Sequence, residues 1–172
     1  MLHSIRIRYD APEDRLELVI RVQEDSAYRF HMTRRVAVRF AAQLQALAVW
    51  SAGVPASVDP VTRSSITAGH HNVLAAQAPI GAAPQPARPL QVLTGERPVL
   101  ITDVRCGRSN EDGRWVLSFD FGKDQTLNLQ LQQSTLHGVI ELFRRKLQES
   151  DWGLALLAQA PSAAPVAVRS MH

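Results

Sequence analysis

The stretch YRFHMTRRVAVRFAAQLQAL, residues 28–47, decides how this chain is read. Its first residues alternate: Tyr28, Phe30 and Met32 against Arg29 and His31. That is the two-residue period of a half-buried strand. After Thr33 the period changes. Val36, Phe40, Leu44 and Leu47 recur at three- and four-residue intervals, one stripe of an amphipathic helix. Thr33 sits where an N-cap belongs, and Gly53 and Pro55 stop the helix near Trp50.

Upstream, RLELVIRV places Leu16, Leu18, Ile20 and Val22 on one face. LHSIRIR places Leu2, Ile5 and Ile7 beside Arg6 and Arg8, and YDAPED between the two runs supplies turn residues. The spacing predicts three strands followed by a helix, a β-β-β-α unit. Adding 99 to every number repeats the pattern without a gap. Leu16, Leu18 and Ile20 become Trp115, Leu117 and Phe119, and Tyr28, Phe30 and Met32 become Leu127, Leu129 and Leu131. Phe40, Ala41, Leu44 and Ala48 become Val139, Ile140, Phe143 and Leu147. The identities are few (Arg6/Arg105, Arg15/Arg114, Leu18/Leu117, Asp25/Asp124), so the likeness lies in the pattern.

Each unit has one apolar sheet face and one helix, and about 50 residues bury too little surface to be stable alone. The expected fold is therefore α+β: two pseudo-repeated units packed about a pseudo-twofold into one domain. Its antiparallel strands form one sheet or two, covered by two main helices. The units are assigned to 1–51 and 98–152. A Pro/Ala-rich connector, partly flexible, is expected over 52–97, with one or two helical turns at HHNVLAAQ and a short strand near Leu90–Leu93. Residues 153–172 read as a mostly disordered tail.

The chain has 172 residues, 45% of them hydrophobic, with 19 Lys and Arg against 16 Asp and Glu. The excess of three positive charges does not by itself point to nucleic acid. One cysteine, Cys106, excludes an internal disulfide and fits a reducing compartment. The start, MLHSIRIRYD, has no signal-peptide core, and no window is apolar enough to span a membrane. A cytoplasmic location is expected.

Chemistry-bearing motifs are scarce. His70 and His71 are adjacent, and neighbouring side chains diverge, so they are weak metal candidates and read as loop residues. Cys106 falls on the core side of a strand and reads as inert. His31 is expected exposed on its strand, and His137 on the surface of its helix. No phosphate loop, nucleophile elbow or metal motif is present, and no motif calls for a cofactor. Two basic clusters remain. Arg144, Arg145 and Lys146 close the second helix and complement its dipole. Arg34, Arg35 and Arg39 open the first, where cations are unfavourable, which makes them candidates for phosphate or an acidic partner.

The expectation is a non-enzymatic interaction or assembly protein that associates with itself or another protein. The alternative is a nucleic-acid or phosphate-binding accessory protein that uses the two basic clusters.

Overall fold

A computed structural model describes residues 2–79, 89–154 and 156. Most of the predicted tail and much of the stretch from Ala78 to Pro89 lie outside these residues; of the tail, Gly153, Leu154 and Leu156 are described, and Leu156 is buried. The first hairpin is β1 (Ser4–Asp10) and β2 (Arg15–Arg21), followed by β3 (Ser26–Thr33) and α1 (Arg34–Ala52). The second half contains β5 (Val99–Arg108), β6 (Trp115–Phe121), β7 (Gln125–Leu131) and α3 (Gln133–Glu149). Between the halves lie α2 (Pro60–Ala76) and a two-residue β4 (Gln91–Val92). The fold is α+β, with a mostly antiparallel sheet and three helices among the described residues.

Alternation built the strands as read. On β2, Leu16, Leu18 and Ile20 are fully buried, while Glu17 bridges to Arg8 and Arg29 on the other face. Thr33 caps α1, its hydroxyl accepting from the Val36 amide, and Gly53 ends the helix in a left-handed turn. Phenylalanines tie the layers together. Phe40 of α1 meets Phe143 of α3 at 4.9 Å and Phe119 of β6 at 5.6 Å, both edge-to-face.

The strands form one seven-stranded sheet, in the order β1-β2-β3-β5-β6-β7 with β4 also on β3. Where the halves meet, β3 and β5 run parallel through only two ladder pairs, Phe30–Val99 and His31–Leu100. Ahead of β5, β4 lies along the same edge of β3. Thr94 fills the gap: its hydroxyl accepts from the Arg29 amide and donates to the Arg29 carbonyl.

In this order the third strand of one set lies beside the first of the other. The helices follow the same order. α1 packs on β5, the next strand over, and α3 packs on β1 at the far end of the sheet. In a flat sheet β7 and β1 would stand roughly 24 Å apart, so the sheet must coil around its helices. The C-terminus of α3 then reaches the first hairpin. Trp152 donates its indole N–H to Asp14 at 2.6 Å and meets Tyr9 edge-to-face. At the other end, Trp50 of α1 meets Trp115 at the start of β6.

The third helix departs from the two main helices expected. Asp59 caps α2, its carboxylate accepting from the Thr62 amide, and Pro60 occupies the first turn, where its missing N–H is harmless.

A polar seam beneath the second helix as candidate functional site

α2 buries an unusual side. Its two buried residues are Thr67 and His71, one turn apart. Helices normally bury apolar stripes, but this one docks through Arg63, Thr67 and His71.

His71, at 3% exposure, faces the fully buried His137 of α3, with the two Nδ1 atoms 3.0 Å apart. On its far side, His137 Nε2 lies 2.7 Å from the Ser51 hydroxyl. His71 Nε2 lies 3.4 Å from Glu141. With both rings neutral, one assignment of protons satisfies every contact. Ser51 donates to His137 Nε2, His137 Nδ1–H donates to His71 Nδ1, and His71 Nε2–H donates to Glu141. Burial pushes the His137 imidazole down to about 4, helped by the neighbouring His71 and His70. Burial also lowers His71, although Glu141 opposes this. Glu141 is brought down to about 2, chiefly by the Arg144 guanidinium, with Arg145 and His71 adding to the effect.

The chain of donors resembles an activated hydroxyl, but its position argues against nucleophilic catalysis. Ser51 lies in the last turn of α1, where backbone carbonyls point outward and the helix dipole is negative. An oxyanion forming there would be disfavoured. A His near pKa 4 is also a weak base at neutral pH. The arrangement is better suited to joining three helices than to turnover.

The histidines correct the sequence reading. His71 is a buried helix residue rather than a loop residue, and His137 is buried rather than on the surface. His31 is half-buried, with Arg15 Nη1 3.2 Å from its Nδ1. His70 and His137 meet ring edge to face, 5.3 Å apart. Among the described residues, no three His, Cys, Asp or Glu side chains are grouped to hold a metal ion. Cys106 is half-buried, its thiol pushed up to about 12 by burial.

The basic clusters are largely occupied within the chain. Arg34 donates to the Trp152 carbonyl at 3.1 Å, which explains a cation at that helix start. Arg39 pairs with Asp103 and donates to the Thr102 carbonyl. Arg144 and Arg145 both pair with Glu141, and Lys146 pairs with Glu149. Arg35 is exposed.

Further along α2, a cavity of about 260 Å³ opens between α1 and α2. Arg63, Thr67 and Ala68 line one wall, Gln45 and Val49 the other. The Thr67 hydroxyl and Arg63 Nε have no accessible surface and no hydrogen-bond partner.

Among the described residues no helix is long and apolar enough to cross a membrane. No protein-family model matches the chain, and neither does any curated protein or solved structure.

Proposed function

We propose that the chain is a non-enzymatic interaction protein that self-associates, and that the outer face of α2 makes the contact. The observation that carries this is the composition of that face. Thr62, Ser65, Ile66, Gly69, Asn72, Val73 and Ala76 point away from the buried side and include no charge. Val61 on its flank is 68% exposed, Ile66 45% and Val73 59%. Space above Gly69 is open: a Cβ built there meets nothing within 4 Å. Single exposed apolar residues are ordinary, but a whole uncharged helix face is what a recurring contact requires. The sheet edges β1 and β7, each paired on one side, are a second place for strand addition.

We also infer that the two β-β-β-α sets are copies of one unit. The registers support this. Ile5 lies opposite Ile20, and Val104 opposite Phe119, each number 99 higher. Leu16 lies opposite Met32, and Trp115 opposite Leu131, again 99 higher. The cap residues Thr33 and Gln132 share φ −72 with ψ 158 and 160. Asp14 and Gly113, at matching turns, both take the left-handed conformation, with φ 47 and 68.

The alternative reading, nucleic acid or phosphate on the basic clusters, is weakened because Arg34, Arg39, Arg144, Arg145 and Lys146 already have partners within the chain. Light scattering across a dilution series, at low and high salt and with absorbance read at 260 and 280 nm, separates the two. Self-association through apolar contacts predicts an oligomer whose mass does not fall with salt. A monomer that carries material absorbing at 260 nm, and sheds it in salt, would favour the alternative.

A further inference from the structure

α2 is held in place by polar contacts rather than by apolar burial. Among the described residues the hydrophobic core is drawn from the strands, α1, α3 and the segment after it, and none of it from α2. Ala68, Leu74 and Ala75 are half-buried. Docking also carries a standing cost. Three polar atoms of this helix, Arg63 Nε, the Thr67 hydroxyl and His70 Nδ1, have lost water without gaining a hydrogen-bond partner. Release returns water to all three. An element that buries so little apolar surface belongs to the least stable part of a fold.

The His71–His137 pair fastens α2 to α3, and its geometry limits the protons it can hold. Arg63 donates to the carbonyls of Ala56 and Val58, in the loop that would travel with the helix. His71 instead crosses to α3. Its Nδ1 lies 3.0 Å from that of His137, with room for one shared proton. A first extra proton is accommodated. His71, now charged, donates through Nδ1 to His137 and through Nε2 to Glu141, while His137 carries its own proton on Nε2 and donates it to Ser51. A second extra proton sets two N–H groups and two positive charges face to face. The groups around the pair do not relieve this. α1 supplies the neutral Ser51 hydroxyl. α2 adds His70, its ring 5.3 Å from His137. On α3, Glu141 is already paired with Arg144 and Arg145. Once the helices part, both imidazoles are free to charge.

We propose that α2 is an acid-released element: protonation of both His71 and His137 undocks it from α1 and α3 while the sheet and those two helices stay folded. The helix stays tethered by the loop between Gly53 and Asp59, and the face of α3 around His137 is laid open. The lowering of His137 to about 4 fits this, because the undocked ring takes up a proton that the docked ring refuses. Undocking does not depend on whether the outer face of α2 makes a contact.

The test is amide hydrogen exchange on the full chain, isotopically labelled, at pH 7, 6 and 5, with rates corrected for the intrinsic effect of pH. Amides of residues 66–75 are expected to exchange faster than those of β2 and β6 at every pH, which marks an opening smaller than unfolding. Their protection should fall roughly twentyfold from pH 7 to pH 5 through His137 alone, and further with His71. In His71→Gln/His137→Gln, whose side chains stay neutral, that fall should vanish whatever the variant's absolute protection. A fall that persists in the folded variant would overturn the proposal. So would residues 66–75 exchanging with the same protection as β2 and β6, or keeping their protection between pH 7 and pH 5. Those last two results are read on the unaltered chain, so they decide the matter even if the variant does not fold.

Discussion

At the scale of single residues, the buried histidine pair makes stability depend on pH, and the sign can be worked out. His137 titrates near 4 when folded, against an ordinary value of 6.5. Between those values the unfolded chain binds a proton that the folded chain does not, so stability rises with pH across that window. The contribution is complete above about pH 6.5 and lost as pH falls toward 4. Its full size is roughly 3 kcal/mol at 1.36 kcal/mol per pH unit, and lowered His71 acts in the same direction. Glu141, held near 2 against 4.5, adds a second loss below that window. Urea unfolding at pH 7, 6, 5 and 4.5 should show a steady fall in the midpoint. In His137→Leu the slope should flatten whatever the variant's overall stability, and an unchanged slope would place the titrating group elsewhere. None of this was legible in the sequence. His71 and His137 stand 66 positions apart, and their pairing depends on how α2 lies across α3. Adjacent His70 and His71 suggested divergence, yet both rings meet His137, at 5.3 and 5.2 Å, and only His71 lies at hydrogen-bonding distance from it.

Among the elements, α2 is the instructive miss, and the reason is physical. Helices declare themselves in sequence through an apolar stripe, and the buried side of α2 carries Arg63, Thr67 and His71 instead. The remaining signal was at the start, where Asp59 before Pro60 is a cap followed by a first-turn proline. Asp59→Ala should therefore destabilise the fold by about 1 kcal/mol and raise hydrogen exchange through the first turns of α2. No change in exchange there would mean that tertiary packing alone fixes the helix start. By contrast, α1 and α3 were legible because both bury the expected faces. Phe40, Ala41, Leu44 and Ala48 of α1 are buried, and so are Val139, Ile140, Phe143 and Leu147 of α3.

For the whole molecule, strand identities could be read from alternation, but the order of the sheet could not. Period-two patterns say which residues face the core, not which strand lies beside which. The parallel seam between β3 and β5 has only two ladder pairs, so the two halves are joined mainly by side chains. Phe30 carries much of that link, meeting Phe121 at 4.9 Å and Phe119 at 6.5 Å across the seam. Phe30→Ala should destabilise the molecule by about 3–5 kcal/mol, and fluorescence and circular dichroism should still report one shared urea transition. Two separate transitions would mean that the halves fold independently.

Self-association through the uncharged face of α2 is tested most directly by light-scattering mass on the unaltered chain beside Ile66→Glu/Val73→Glu. Both substitutions are on exposed positions, so the fold should survive, as circular dichroism would verify. The unaltered chain should be an oligomer and the variant a folded monomer. A monomer in both cases, or an oligomer of unchanged mass in both, would contradict it.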